Sequence, residues 1–385
     1  MIKKKVLRIT TTLDPKFGGP SVGVLESSKN LIKSGFKVDI ITLDKKKFNQ
    51  IKLKNLRIIN FKNYFGKNYR FSISLFFWLL KNKKNYNYFI IHGLWQFPSL
   101  LARLVLKNKY YVYTHGQLDP FFGYNFIKSL KKKLYWYLIE YKNLQSSISI
   151  ILTSLGEKKN LEKTFVKTNE LNKKIIKYGI YKKKLNYKKI KSLFLKKYPY
   201  LKTKNFYLYI GRFNEKKGCD IIIKSVNKLK KQFKTPILFV GPFDNNNYEI
   251  YIKKLVSNFK LNKLIFFSDA IFGDLKWGTI SNCKAMLLAS HGENFGISVV
   301  ESLSVGRPVI ITNKVNIYRD ILMSQSGLIS DNTTKSFGEK LLQFEKLNKK
   351  EIKRMSQNSI KCFKKNFELT HNDDHLSKLL LSQKL

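Results

Sequence analysis

Glu293 and Glu301 stand eight residues apart in "SHGENFGISVVESLSVGRPVI", residues 290–310, one of the most apolar stretches of a strongly basic chain. "AMLLAS" (285–290) reads as a strand and "GISVVESLSVG" as a helix, with Gly292 to Gly296 as the turn between them. A helix start at a strand's carboxyl end offers free N–H groups to anions or hydroxyls. Asn294, Phe295, Gly296 and Ile297 could bind a ligand there through backbone. At about 3.6 residues per turn, Glu301 lies one and a half turns into the helix. Two carboxylates so placed would accept hydrogen bonds from the hydroxyls of a polyol. Otherwise Glu293 would be a helix-dipole partner and Glu301 a solvated face residue. A second constellation, "GRFNEKKGCDIIIKSV" (211–226), also follows a strand and opens a helix. Gly211 permits a tight turn, and Arg212 and Lys217 would project two cations at that strand end. Arg can grip a phosphate with two bonds, while Lys acts as a point charge. A solvated basic loop is the bland alternative.

The elements that must hold these residues are strands alternating with helices. In the first half, "KVLRIT" (5–10), "KVDIITLD" (37–44), "NYFIIHG" (87–93), "KYYVYTHG" (109–116) and "SISIILTS" (147–154) read as strands. A loop and then a helix within 18–36, ending near Gly35, a core helix at 71–80 and a crossover helix in "LWQFPSLLARLVLKN" lie between them. The second half repeats the alternation with strands at 206–213, 236–243, 264–269, 285–290 and 307–313. Such alternation predicts an α/β fold with parallel sheets covered on both faces. The expected division is a first domain over 1–185, a Lys-rich linker with Pro199 over 186–204, a second domain over 205–365 and a helical segment over 366–385. Two such sheets facing across a cleft would bind ligand outside the carboxyl ends of their strands.

A chain of 385 residues suits two cores better than one. The net charge of +49 could address nucleic acid or an anionic membrane surface. Only eight of the 74 basic residues are Arg, and Lys is spread over the whole chain beside abundant Asn, Ile, Tyr and Phe. That pattern fits compositional drift better than a nucleic-acid footprint. Cys219, Cys283 and Cys362 are scattered, which suggests neither a zinc site nor a disulfide framework and fits a reduced, cytoplasmic compartment. No signal peptide is expected from the basic start, and the run at 71–80 is too short for a membrane span. No Asp-x-Asp occurs, so no required metal is expected.

The motifs together resemble the family 4 retaining glycosyltransferases, of GT-B fold. "GRFNEKKGCDIIIKSV" and "ASHGENFGISVVESLSVGRPVI" are similar to the family's two C-domain signatures. "DPKFGGPSVGVLESSKNLIKSGFKVDIIT" resembles its first strand–loop–helix, and "HGLWQFPSLLARLVLKNKYYVYTHGQLDP" a segment of many polysaccharide-building members. The resemblance implies two Rossmann-like doubly wound parallel-sheet domains, with a C-terminal helix returning to the first. It implies a hexosyltransferase that retains configuration, acts on a nucleotide-diphosphate sugar without a metal or other cofactor, and builds surface polysaccharide. Arg212 and Lys217 would hold the diphosphate, Glu301 the ribose, and Glu293 with the backbone of Phe295 and Gly296 the transferred sugar. Gly18 and Gly19 would bring N–H groups to phosphate or acceptor, and His115 would stand beside the reacting sugar. Ala289 replaces a frequent Pro, Asn294 a frequent Gly, and Tyr178–Gly179 the usual Asn-Gly.

Of the other histidines, His92 is expected to be structural. His291 adjoins the Glu293 turn, and His371 and His375 have no metal-ligand partner. Lys128, Lys131, Lys132, Lys133 and Trp136 lie in a basic, aromatic helical stretch. Such a helix could rest on an anionic bilayer and place the enzyme on the inner face of the plasma membrane. The expected partners are a nucleotide sugar and a saccharide or lipid-linked acceptor. A GT-B-fold epimerase is the nearest alternative, and a basic nucleic-acid-binding protein a more distant one.

Overall fold

The computed structural model describes residues 4–14, 19–44, 48, 51, 53–64, 68–120, 126–176, 178–202, 205–370 and 375–382. The chain forms two compact units, Met1–Lys177 with Thr370–Leu385, and Tyr178–Leu369.

The first unit is built on seven parallel strands: β1 (Lys5–Ile9), β2 (Lys37–Thr42), β3 (Leu56–Asn60), β4 (Tyr88–His92), β5 (Tyr111–Tyr113), β6 (Ser149–Leu152) and β7 (Lys173–Ile175). Their order is β3-β2-β1-β4-β5-β6-β7. The chain therefore leaves β1 in one direction and returns on its other side as β4, which makes β1/β4 the topological switch point. Strand alternation sends Leu7 and Ile9 toward the helices Ile73–Asn82 and Phe97–Leu106, through Leu75, Leu79, Leu101 and Val105. Val6 goes to the opposite face, where Val24 and Leu31 of the helix Gly19–Lys33 meet Leu376 and Leu380 of the C-terminal helix His375–Ser382.

The second unit carries β8 (Tyr207–Ile210), β9 (Ile237–Val240), β10 (Ile265–Ser268), β11 (Ala285–Leu288), β12 (Val309–Thr312) and β13 (Gly327–Ser330). They form a parallel sheet in the order β10-β9-β8-β11-β12-β13. Its switch point is β8/β11. β8, β9, β11 and β12 are buried at every residue, which is why they read as unbroken apolar runs.

Two expectations need correction. Residues 186–204 are not a bare linker. Asn186 caps a helix, Tyr187–Lys197, whose Ile190 and Phe194 are buried in the second unit. Gly278 lies against it so closely that a Cβ would fall 2.1 Å from the Ile190 carbonyl oxygen. Trp136, expected on a membrane-facing surface, is 1% exposed and stacks on Phe165 at 4.6 Å. The helix Phe126–Tyr135 continues into a π-helical turn, Trp136–Glu140, and the extra residue in that turn shifts the helical face. Leu130, Leu134, Tyr137 and Leu138 are exposed instead, beside exposed Lys131 and Lys133. Lys132 lies over the Trp95 ring, 4.5 Å from its centroid. The Lys128 side chain lies outside the described residues. Among the described residues no helix is long and apolar enough to cross a membrane.

Candidate active site

The second unit gathers charged groups at the carboxyl ends of β9, β8 and β11, three neighbouring strands. After β8 the chain turns through Gly211, and the Tyr209 hydroxyl donates to the Arg212 carbonyl at 2.7 Å. Arg212 Nη1 reaches both carboxylate oxygens of Asp244, beyond β9, at 3.2 and 3.1 Å. Asn214 donates to the same carboxylate at 2.7 Å. Asn214 also caps a short 3-10 turn, Glu215–Lys217, that ends at Gly218 with φ of 64°. A Cβ at Gly218 would fall 2.0 Å from the Ala289 carbonyl oxygen. That close approach joins the β8 loop to the β11 loop and brings Lys217 to the next carboxylate: its Nζ donates to Glu293 Oε2.

Glu293 is tied by backbone as well, from its N–H to the Lys314 carbonyl and from its own carbonyl to the Asn316 N–H. Burial pushes its pKa up. The Lys217 ammonium and a Gly296 N–H outweigh burial and hold the carboxyl below its usual range. Glu293 is thus an ionised acceptor. Gly296, at φ of 70°, is the N-cap of the helix Ile297–Ser304 and brings no side chain of its own to the first N–H groups. Asn294 accepts from Asn316 at 3.4 Å. Phe295 is buried, edge-on to Tyr178 and Phe367, so only its backbone could meet a ligand. Tyr178, which replaces the usual Asn, thereby supports this turn. Ile297 is half-buried against the core.

Glu301 is 8% exposed. Its Oε1 accepts from Lys276 Nζ at 2.6 Å, while its Oε2 is buried with no hydrogen-bond partner among the described residues. The His291 side chain accompanies Asn332 at 2.7 Å, and its backbone N–H donates to the Lys216 carbonyl at 2.8 Å. It also lines an open depression of about 590 Å³ with Glu215, Asp220, Asn245, Asn247, Tyr248 and Tyr251. Its two carboxylates make that depression a poor receiver for a diphosphate. Arg212, Lys217, Glu293 and Glu301 are not among its lining residues.

In the first unit, Gly18 lies outside the described residues, and Gly19 is the first residue of the helix Gly19–Lys33. His115 follows β5 in a left-handed conformation, φ 50°. Glu157 fixes this turn. Its Oε1 accepts from the Thr114 hydroxyl at 2.5 Å and the Gly116 N–H at 2.7 Å, and its Oε2 from the N–H and hydroxyl of Thr153. His92, the last residue of β4, packs against both Tyr113 and His115, with centroids 5.1 and 5.3 Å away. Nδ1 of His92 is 3.0 Å from Nε2 of His115. Arg8 of β1, buried, reaches Nε2 of His92. His92, expected to be merely structural, is thus in direct contact with His115. Arg8 and Glu157 escaped the sequence reading. A rare Arg inside the apolar run of "KVLRIT" was the available signal for Arg8; nothing marked Glu157.

The comparisons fit this geometry. The model of Glycosyl transferases group 1 matches residues 191–362, and that of Glycosyltransferase Family 4 matches residues 17–170. An uncharacterized glycosyltransferase of Methanocaldococcus jannaschii is 25% identical over 284 residues, 72% of this chain and 71% of its own. The alpha-1,3/1,6-mannosyltransferase ALG2 of Dictyostelium discoideum is 22% identical over 36% of each chain. In fold, the chain is similar to Anabaena HepE, crystallised with UDP and glucose, at a TM-score of 0.79 and 13% identity over 99% of this chain and 100% of that one. With a model matched in each half and this pair of sheets, the chain belongs to the family 4 glycosyltransferases of GT-B fold.

Proposed function

We propose that this glycosyltransferase moves a hexose from a nucleotide-diphosphate sugar to a hydroxyl of a saccharide or lipid-linked saccharide, with retention of configuration, in the assembly of surface polysaccharide. The observation that carries the reading is the Lys217–Glu293 pair across the β8/β11 switch point, with Arg212 on the same β8 loop. Open α/β sheets bind ligands at such points. Arg212 and Lys217 supply the charge that a departing diphosphate needs, with no metal. Preorganised donors of this kind are each worth roughly 3 kcal/mol when removed. Glu293, ionised and held by Lys217, accepts hydroxyls of the transferred sugar; Glu301 accepts from the ribose through its unpartnered oxygen. Gly18, Gly19 and the N–H groups from Asn294 to Ile297 complete the phosphate and sugar contacts, and His115 serves the transferred sugar. With retention, the acceptor attacks on the face the diphosphate leaves, and the departing phosphate takes its proton. The mannosyltransferase likeness and the relative crystallised with UDP and glucose support a nucleotide-sugar donor.

The test is product analysis with a panel of nucleotide sugars and lipid-linked acceptors. Glu293→Ala, Arg212→Ala and Lys217→Ala should each lower transfer roughly a hundredfold or more with unchanged melting. Full activity in the Glu293 and Arg212 variants removes the mechanism, and sugar conversion without acceptor removes the transfer.

The exposed Leu130, Leu134, Tyr137 and Leu138, flanked by Lys131 and Lys133, support peripheral attachment to an anionic bilayer. Sedimentation with anionic liposomes should carry the protein down at low salt. Leu134→Asp should weaken that binding, and no binding at low salt rejects the attachment.

A further inference from the structure

The β1/β4 switch point of the first unit holds a buried guanidinium, an imidazole and a second imidazole in series. Arg8 occupies the strand position after Leu7 where an apolar residue would pack, facing the helix Gly19–Lys33. Its Nη1 donates to the Val24 carbonyl at 3.0 Å and to the hydroxyls of Ser27 and Ser28, each at 2.8 Å. Its Nε lies 3.1 Å and its Nη2 3.0 Å from Nε2 of His92.

A guanidinium has five N–H donors, accepts nothing and stays charged in proteins. Nε2 of His92 must therefore be the acceptor and carry no proton. The proton of the neutral ring then sits on Nδ1, which faces Nε2 of His115 at 3.0 Å. Since Nδ1 of His92 donates, Nε2 of His115 must accept. Protonating His115 at that nitrogen would set two N–H groups against each other. Its single ring proton is left on Nδ1.

We propose that Arg8 and His92 lock His115 into one neutral tautomer, Nδ1–H, so that His115 meets a bound sugar as a hydrogen-bond donor and cannot act as a base. Arg8 is then a positioning residue that acts through His92. The lock stands on first-unit geometry alone; the sugar contact rests on the function proposed above.

The groups around the pair agree with the assignment. Tyr113 stacks on both rings, at 5.1 and 5.5 Å. The carboxylate that holds this turn, Glu157, is occupied by four donors from Thr114, Gly116 and Thr153, and Asp119 further along the chain accepts from Asn160. Burial and the Arg8 charge both oppose protonation: His92 is held well below the ordinary histidine range and His115 at about 4.

The experiment is two-bond ¹H–¹⁵N correlation of the full chain labelled at histidine, with His92→Gln and His115→Gln used for assignment. At neutral pH both rings should carry protonated Nδ1 and unprotonated Nε2. Arg8→Met should break that pattern at His92 and lower kcat about tenfold or more, with a smaller change in donor KM. An Nε2–H tautomer or an imidazolium at either ring of the native protein overturns the lock, whether or not Arg8→Met folds. Unchanged tautomers in a folded Arg8→Met protein overturn the role of Arg8. A second arm separates donor from base: His115→Gln, which keeps an N–H, should retain more kcat than His115→Ala, and equal loss in the two contradicts the donor role. An intact lock in a protein that transfers no sugar sinks the functional reading and leaves the lock standing.

Discussion

Glu293 and Glu301 differ in what each has left to offer a ligand. Glu293 already faces the Lys217 ammonium, so a sugar hydroxyl would add a bond to an oriented carboxylate. Glu301 has satisfied one oxygen with Lys276, and its other is buried without a partner among the described residues. An unmet buried acceptor costs about 1–3 kcal/mol, which a ligand hydroxyl would relieve. Glu301→Gln should therefore weaken nucleoside-diphosphate binding about tenfold, since hydrogen bonds to charged groups are worth more than neutral ones. Calorimetric titration measures the loss, and a melting curve should show little change. An unaltered affinity would mean that Oε2 meets no ligand. Arg212 differs again, because Asp244, itself held by Asn214, already engages its guanidinium.

At the scale of elements, close backbone approaches hold the site loops. The Gly218–Ala289 contact sets the β8 loop against the β11 loop, and a Cβ at Gly241 would fall 1.9 Å from the Gly211 carbonyl oxygen. Gly218→Ala should destabilise the second unit by about 1–3 kcal/mol, from a left-handed residue and a forced backbone shift. It should also lose most transfer by parting Lys217 from Glu293. Urea unfolding and an activity assay read both, and wild-type values in each would show that the loops do not need this contact. Glu157 does the corresponding work in the first unit. Glu157→Ala strips acceptors from Thr114, Gly116 and Thr153, and should cost roughly 3 kcal/mol or more. Much of this was legible in the sequence. Central strands buried on both faces read as apolar runs, and the loops after β8 and β11 carry Gly and charge at telling positions. Three strands were not legible: β3, β7 and β13 lie at sheet edges, where β3 is largely half-buried, β7 largely exposed and β13 buried only at its ends, and β7 reads only "KKI". Trp136 was misplaced because a π turn breaks the helical period on which the reading relied. Arg8 looked like one more basic residue until its partners across β1 and β4 were known.

At the scale of the molecule, protonation and net charge set the response to solvent. His92 and His115 are neutral when folded and titrate near 6.5 when unfolded. The unfolded chain then binds more protons, so their contribution to stability falls as pH drops from about 6.5 toward the folded value of about 4 for His115. Glu140 runs the other way. Burial pushes its carboxyl up to about 7, against hydrogen bonds from Ser99 and the Trp95 N–H. Its protonation when folded makes stability rise as pH falls from about 7 toward the ordinary glutamate range. The two trends oppose each other. Unfolding free energy should depend less steeply on acid in His115→Gln and more steeply in Glu140→Gln; identical slopes in all three proteins would contradict both assignments. The charge of +49 draws any anion, so binding of a phosphate compound alone proves little. The most direct measurement is therefore calorimetric titration of UDP, GDP and ADP into the wild type, Lys217→Ala and Lys131→Ala at physiological salt. One nucleotide should bind the wild type and the Lys131 control equally, and the Lys217 variant at least about tenfold more weakly. Equal affinity in all three proteins, or no binding of any nucleotide, would contradict a donor site at β8/β11.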